Sequence, residues 1–290
     1  MQTNAIGPLV FVSIAYALSI ALSLLIGLTG GHESHLIGLG YLSMFLPTAA
    51  VVIVSITMHE TPRIDWTRLP VKYVPLALFL MPLAMHAAML STAAVLDGSL
   101  RWQPWLTPQA DGLYHTPAER GWGELTAGGL AGRIVLNALV GLMIVSILAL
   151  FEEIGWRAWL LPRLAARMGA RRAIVVGAIF WAYWHVPFAL SGIQYVGGIS
   201  AARTAIVMPL GIAGVGIIIG WLWMRTESIW IVALAHGALN NWGQYAFKYL
   251  QDTTVARPEL LLVAGGLPIL IIGIVLLRIT PDTKPLIRCF

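Results

Sequence analysis

In the stretch ALFEEIGWRAWLLPRL, residues 149–164, two adjacent glutamates and an arginine interrupt one of the most apolar runs of a very apolar chain. An ionisable side chain inside a membrane helix costs about 2.5–3.5 kcal/mol on insertion scales, so such residues are retained when paired or functional. Glu153 and Arg157 stand four apart with the acid first, the favourable order for a helical ion pair. Glu152 is rotated by about 100° from its neighbour and has no basic residue at the same spacing. A carboxylate left in apolar surroundings without a cation suits a general base. Further along, His185 lies in FWAYWHVPF, and His236 and Asn240 lie four apart in ALAHGALNN, on one face of a helix. A histidine and an asparagine so spaced offer two hydrogen-bond donors to a developing oxyanion. A base, a second titrating group and two donors are the parts that peptide hydrolysis needs without a serine or cysteine nucleophile.

The elements that must bring these residues together are membrane helices. The 290 residues are 58% hydrophobic and 11% charged, with a mean hydropathy of +0.80, far from the composition of soluble domains. Eight apolar runs have about the length that crosses a hydrocarbon core: 5–28, 36–58, 74–96, 130–150, 173–190, 205–224, 229–247 and 260–277. Each must be helical, because no water satisfies the backbone in lipid. The expectation is an all-α, polytopic integral membrane bundle of about eight transmembrane helices. It forms one domain over 1–290, with a motif-bearing core at 130–247. The first run follows Met1-Gln2-Thr3-Asn4, which has no positive n-region, so it reads as a retained helix rather than a signal peptide.

With eight spans, both termini and the even loops share one side. That side holds Arg63, Arg68, Lys72, Arg157, Arg163, Arg167, Arg171, Arg172, Arg225, Arg278, Lys284 and Arg288, against Arg101, Arg120, Arg133, Arg203, Lys248 and Arg257 on the other. The positive-inside rule then puts both termini in the cytoplasm, and the expected location is a cell inner membrane. The net charge of +5 follows from this bias and from anionic headgroups, so no nucleic-acid partner is implied. The single cysteine, Cys289, excludes an intrachain disulfide and a thiolate metal cluster.

Other polar or small residues read as structure. Residues 97–129, with Trp102, Trp105 and Trp122, form an interfacial loop whose tryptophans sit at headgroup level, or else a cap over a substrate groove. Gly216 and Gly220 allow close helix packing. His86 in PLAMHAAML is a packed, hydrogen-bonded histidine. The run 260–277 has no polar side chain and serves only to anchor or pack.

Taken in order, Glu152-Glu153-Ile-Gly-Trp-Arg157, the aromatic segment ending in His185, and His236-Gly-Ala-Leu-Asn240 resemble the CAAX prenyl endopeptidase and bacteriocin-processing (CPBP, or Abi) family of intramembrane proteases. That family is recognised by EExxxR, FxxxH and HxxxN or HxxxD on successive membrane helices. The second motif departs from the pattern: Trp181 stands four before His185, and Phe180 one residue earlier. The resemblance implies a glutamate-dependent endopeptidase with eight helices and no cofactor, acting on a membrane-associated protein or peptide in the lipid bilayer. Carried over residue by residue, Glu152 and His185 activate a water, His236 and Asn240 stabilise the oxyanion, and Glu153 with Arg157 holds the geometry. It selects no particular substrate and no oligomeric state.

Two rivals follow from the same residues. Two glutamates and two histidines could ligate zinc through oxygen and nitrogen, although there is no HExxH, and HESH at 32–35 has the wrong spacing. A non-catalytic membrane scaffold, immunity factor or transporter could also keep a buried polar cluster; no paired repeats of the transporter kind are visible. The charge asymmetry yields a topological prediction. Reporter fusions after Lys72 and after Arg172 should report cytoplasm, and one near Tyr114 the opposite side; reversed signals would overturn the orientation.

Overall fold

The computed structural model describes residues 6–97, 101–194, 199–243, 245–250 and 258–281. Cys289, Lys284, Arg288 and Arg257 lie outside the described residues. The protein is an all-α membrane bundle. Helix α1 (Gly7–Leu28) is followed by a 3₁₀ stretch, Ile37–Phe45, that runs directly into α2 (Leu46–Met58), and then by α3 (Val74–Asp97). A small antiparallel hairpin, β1 (Tyr114–His115) with β2 (Glu124–Leu125), precedes α4 (Ala127–Glu153). The Thr126 hydroxyl caps α4 by accepting from the Gly129 amide at 3.2 Å.

From α4 the helix does not stop. It passes through a π-helical segment, Ile154–Leu160, into α5 (Leu161–Met168), making one continuous helix of 42 residues. At 1.5 Å per residue that is roughly 60 Å. The two glutamates therefore lie inside a helix, not at the end of one as the apolar run 130–150 suggested. The run is interrupted at Glu152, but the helix continues because Glu153 and Arg157 neutralise each other one turn apart. The widened turn has a local cause as well. Pro162 has no amide hydrogen and its ring crowds the carbonyl four residues back, and a π segment just before it relaxes that conflict.

Gly169 turns the chain back with φ 83° and ψ 163°, a conformation close to glycine-only. Helix α6 (Ala170–Trp184) then runs back along α5. Pro187 breaks the next helix, so α6 and the short α7 (Val186–Leu190) meet at His185. Helix α8 (Ala201–Thr226) is capped by Ser200 and α9 (Ile229–Trp242) by Ser228. Two more helices follow among the described residues, α10 (Tyr245–Tyr249) and α11 (Pro258–Arg278).

Among the described residues six helical stretches are long and apolar enough to cross a membrane: Gly7–Leu28, Ile37–Met58, Val71–Val95, Ala127–Met168, Ala170–Leu190 and Ala201–Thr226. The seventh apolar run is divided between α9, of 14 residues, and α10. The last contributes a shorter apolar helix, Leu262–Arg278. An apolar run sets where a helix can form but not where it ends. Arg157 and Arg163 are also buried in the long helix, which narrows the basic asymmetry between the two sides without reversing it.

Helix α9 packs on α4 and α3, α6 on α8, and α8 on α11. Lipid offers no hydrophobic force between helices, so small residues that let backbones approach set these contacts. Gly216 faces Ala178 and Gly220 faces Ile174, joining α8 to α6 as the glycine spacing predicted. Gly211 and Gly214 meet Gly266 and Leu270 of α11. His86 bonds the Pro82 carbonyl at 2.6 Å, the packed role expected of it. The loop before α4 joins the end of α10: Trp102 bridges Leu250, the Gln103 amide donates to the Tyr249 carbonyl at 2.8 Å, and Arg120 lies 4.2 Å from the Trp105 ring.

The closest of these approaches lies next to the polar cluster. A Cβ on Gly237 would stand 2.6 Å from Ser146 Cα and 2.7 Å from Ser146 N, so α9 and α4 would have to separate. Gly237→Ala should lower stability in detergent by about 1–3 kcal/mol, the usual penalty for overpacking. Gly128→Ala, with open space around it, serves as the control. Equal unfolding temperatures for the two variants would contradict this packing.

Candidate active site

The long helix, α6 and α9 converge on one buried cluster. Glu153 is fully buried and accepts two hydrogen bonds on the same oxygen, from Arg157 Nη1 at 3.0 Å and from His236 Nδ1 at 2.8 Å. The first bond is the one expected within the helix. The second crosses 83 residues of sequence and fixes α9 against the π segment. Arg157, 3% exposed, is held on its other side by aromatic contact, its guanidinium 4.3 Å from the centre of the Trp181 ring.

Glu152, next in the chain, has a different partner. Its Oε2 accepts from the Trp181 indole N–H at 2.9 Å. His185 is tied to the same tryptophan, with Nδ1 2.7 Å from the Trp181 carbonyl oxygen. A carbonyl only accepts, so Nδ1 carries the proton and Nε2 of the neutral ring presents a lone pair. That carbonyl is free because the His185 amide turns to Ala182 O, at 3.3 Å, where the helix breaks before Pro187. The Trp181 ring lies edge to face with both histidines, 5.1 Å from each at 80° and 83°.

Around the cluster stands an aromatic wall. Trp156, Trp159 and Trp184 are buried with Phe11 of α1, whose ring centre lies 5.0 Å from Trp159 and 5.4 Å from Trp156. The Trp184 indole donates to Ala15 O at 3.1 Å. A second, part-buried pair, Arg163 Nε to Glu60 Oε2 at 2.9 Å, ties α5 to the segment after α2. A groove of about 640 Å³ lined by Thr48, Val51, Ser55, Arg63 and Trp66 reaches Ile154, the residue after Glu153.

Five of the six sequence-derived residues, Glu152, Glu153, Arg157, His185 and His236, thus meet in one place. Asn240 is half-buried one turn beyond His236 on α9, and none of the hydrogen bonds described above joins it to the cluster. Neighbouring Asn241 and Trp242 anchor that turn to Ala138 O at 3.0 and 3.1 Å. Sequence reasoning noted Trp181 only as a departure from a pattern and missed its role as the common partner of Glu152 and His185. It also missed the bond from His236 to Glu153. Among the described residues no group of three or more His, Cys, Asp or Glu side chains is arranged to hold a metal ion; His185 and His236 each commit Nδ1 to a protein oxygen.

The separate environments of the two glutamates predict separate consequences. Arg157→Ala removes one of the two partners of a fully buried carboxylate and should destabilise by about 3–5 kcal/mol. Glu152→Gln keeps an oxygen for the Trp181 donor and should change stability by about 1 kcal/mol or less. Thermal unfolding in one detergent compares them; equal losses would remove the distinction.

Residues 133–242 match the family model described as Type II CAAX prenyl endopeptidase Rce1-like. A curated protein from Methanococcus maripaludis, CAAX prenyl protease 2, is 29% identical over 131 residues, covering 44% of this chain and 48% of the relative. The match therefore spans about half the length of that relative. Motif order, site geometry and both similarities agree in likening residues 133–242 to the CAAX prenyl endopeptidase family.

Proposed function

We propose that this protein is an intramembrane endopeptidase that hydrolyses a peptide bond of a membrane-associated protein or peptide with a glutamate-activated water. The observation that carries the reading is the division of labour between adjacent carboxylates. Glu153 Oε1 accepts from both Arg157 and His236 while its Oε2 is buried without a hydrogen bond, whereas Glu152 receives only the neutral Trp181 indole donor and is not paired with a cation.

In the proposed step a water lies between Glu152 and the Nε2 of His185, donates a hydrogen bond to that Nε2 and gives its other proton to Glu152 as its oxygen attacks the scissile carbonyl carbon. The carbonyl oxygen becomes an oxyanion, held by His236 Nε2–H and the Asn240 side-chain amide. A His236 that donates from both nitrogens is an imidazolium, balanced by the Glu153 carboxylate at Nδ1. Collapse breaks the C–N bond, and the proton taken from water passes to the leaving amine. Arg157 and Glu153 fix the frame in which this happens.

The name of the methanococcal relative suggests a prenylated C-terminal CAAX sequence as the first substrate to try. The chain acts as one integral membrane domain, with its motifs in 130–247 and both termini in the cytoplasm, the orientation that the basic residues favour.

Two measurements test the reading. Membrane peptidomes of cells with wild-type protein or Glu152→Gln should differ in specific fragments, and purified wild type should cleave a farnesylated CAAX reporter or a reporter built on such a fragment. With the cleaved reporter, Asn240→Ala should lower kcat by on the order of 10²–10³, with a smaller change in KM. Full activity in Glu152→Gln would overturn the mechanism. So would about one zinc per chain in the wild type, lost with activity in His236→Ala.

A further inference from the structure

The position four before His185 is phenylalanine in the motif that the chain otherwise follows, and here it is Trp181. Both rings are aromatic and would pack. Only tryptophan brings an N–H, and that N–H lies 2.9 Å from Glu152 Oε2.

We propose that Trp181 is a positioning residue, its indole N–H fixing the Glu152 carboxylate in register with His185 for attack; this rests on the endopeptidase reading above. The indole has one place to be. It is 2% exposed, and its edge lies against α8 at Gly216, where an added Cβ would stand 3.2 Å from Trp181 Cε3 and 2.9 Å from Ala178 Cβ. Arg157 lies over its face, and His185 and His236 each stand edge to face with it. A donor with no rotameric freedom holds its acceptor without losing entropy at the moment of reaction.

The same residue fixes the second member of the pair. Its main-chain carbonyl sets the His185 tautomer through Nδ1, so Nε2 is the nitrogen turned to the reactant. Glu152 and His185, 33 positions apart in sequence, thereby take their orientation from a single residue, one through its side chain and one through its backbone. The backbone carbonyl survives any substitution at 181, which leaves the N–H as the separable part.

The test removes the N–H and little else. Trp181→Phe restores the family's residue, and replacement of Trp181 by its benzothienyl analogue, introduced by codon suppression, keeps the bicyclic shape with sulfur in place of N–H. With whichever reporter the wild type cleaves, both variants should lose about 10- to 100-fold in kcat, the range for a hydrogen bond to a charged group. KM should change less than twofold, and the benzothienyl protein should unfold at the wild-type temperature. A purely packing role predicts wild-type kcat for the isosteric analogue and a loss only in Trp181→Phe; that result overturns the proposal. So does a rise in KM that accounts for the whole loss. A benzothienyl variant at full activity while Glu152→Gln is inactive removes the positioning role alone. Glu152→Gln cleaving as well as wild type removes the endopeptidase reading and this role together.

Discussion

A carboxylate with no water around it persists only where its charge is taken up, and Glu153 is served twice, by Arg157 and by His236. Removing an ion from water is expensive, and only close geometry with several donors offsets it. Here the two bonds also do topological work. One lies within a helical turn; the other holds α9 at a fixed height on the long helix. Around that contact α9 is packed between α4 and α3, and α8 packs between α6 and α11.

Charge pairing alone would not bring the backbones close enough. Gly237 meets Ser146, Gly155 meets Pro47 so closely that an added Cβ would stand 2.6 Å from Pro47 Cβ, and Gly216 meets Ala178. All three contacts flank the polar cluster, so side chains of ordinary length reach across helices to hydrogen-bond distance. The π segment belongs to the same economy of space. It carries Gly155 against α2 and Arg157 into the cluster, and it ends next to the proline that a regular helix would not accommodate.

Adjacent residues in the chain thus enter different surroundings. Glu153 is bound by the Arg157 cation and by His236, and Glu152 is bound by one neutral donor from α6. In a low-dielectric interior a difference of that kind separates chemical roles more sharply than it does in water, which makes the pair suited to one structural and one reactive carboxylate. The family model matches the region where this separation is built, while Phe11 of α1 packs on the aromatic wall of Trp156, Trp159 and Trp184, and α2 and α3 lie in the packing behind it.

The sequence by itself determined the class of the protein and the short list of its chemistry. Apolar runs permit little but helices in lipid, and charged residues are so expensive there that each one present demands an account. The Glu153–Arg157 pair was legible because both ends lie within a single helical turn, where spacing dictates proximity. Tertiary structure alone decided what depends on contacts between helices. His236 reaching Glu153, Trp181 serving both Glu152 and His185, and the far loop joining α10 rather than the site have no local signature in the chain. Helix ends were also beyond the sequence: the fourth run continues through its charges because they neutralise one another, and the seventh stops after 14 residues despite the apolar residues beyond it. Composition fixes which segments can be helical in a membrane; where they end and which side chains meet is fixed by packing and by the pairing of buried polar groups.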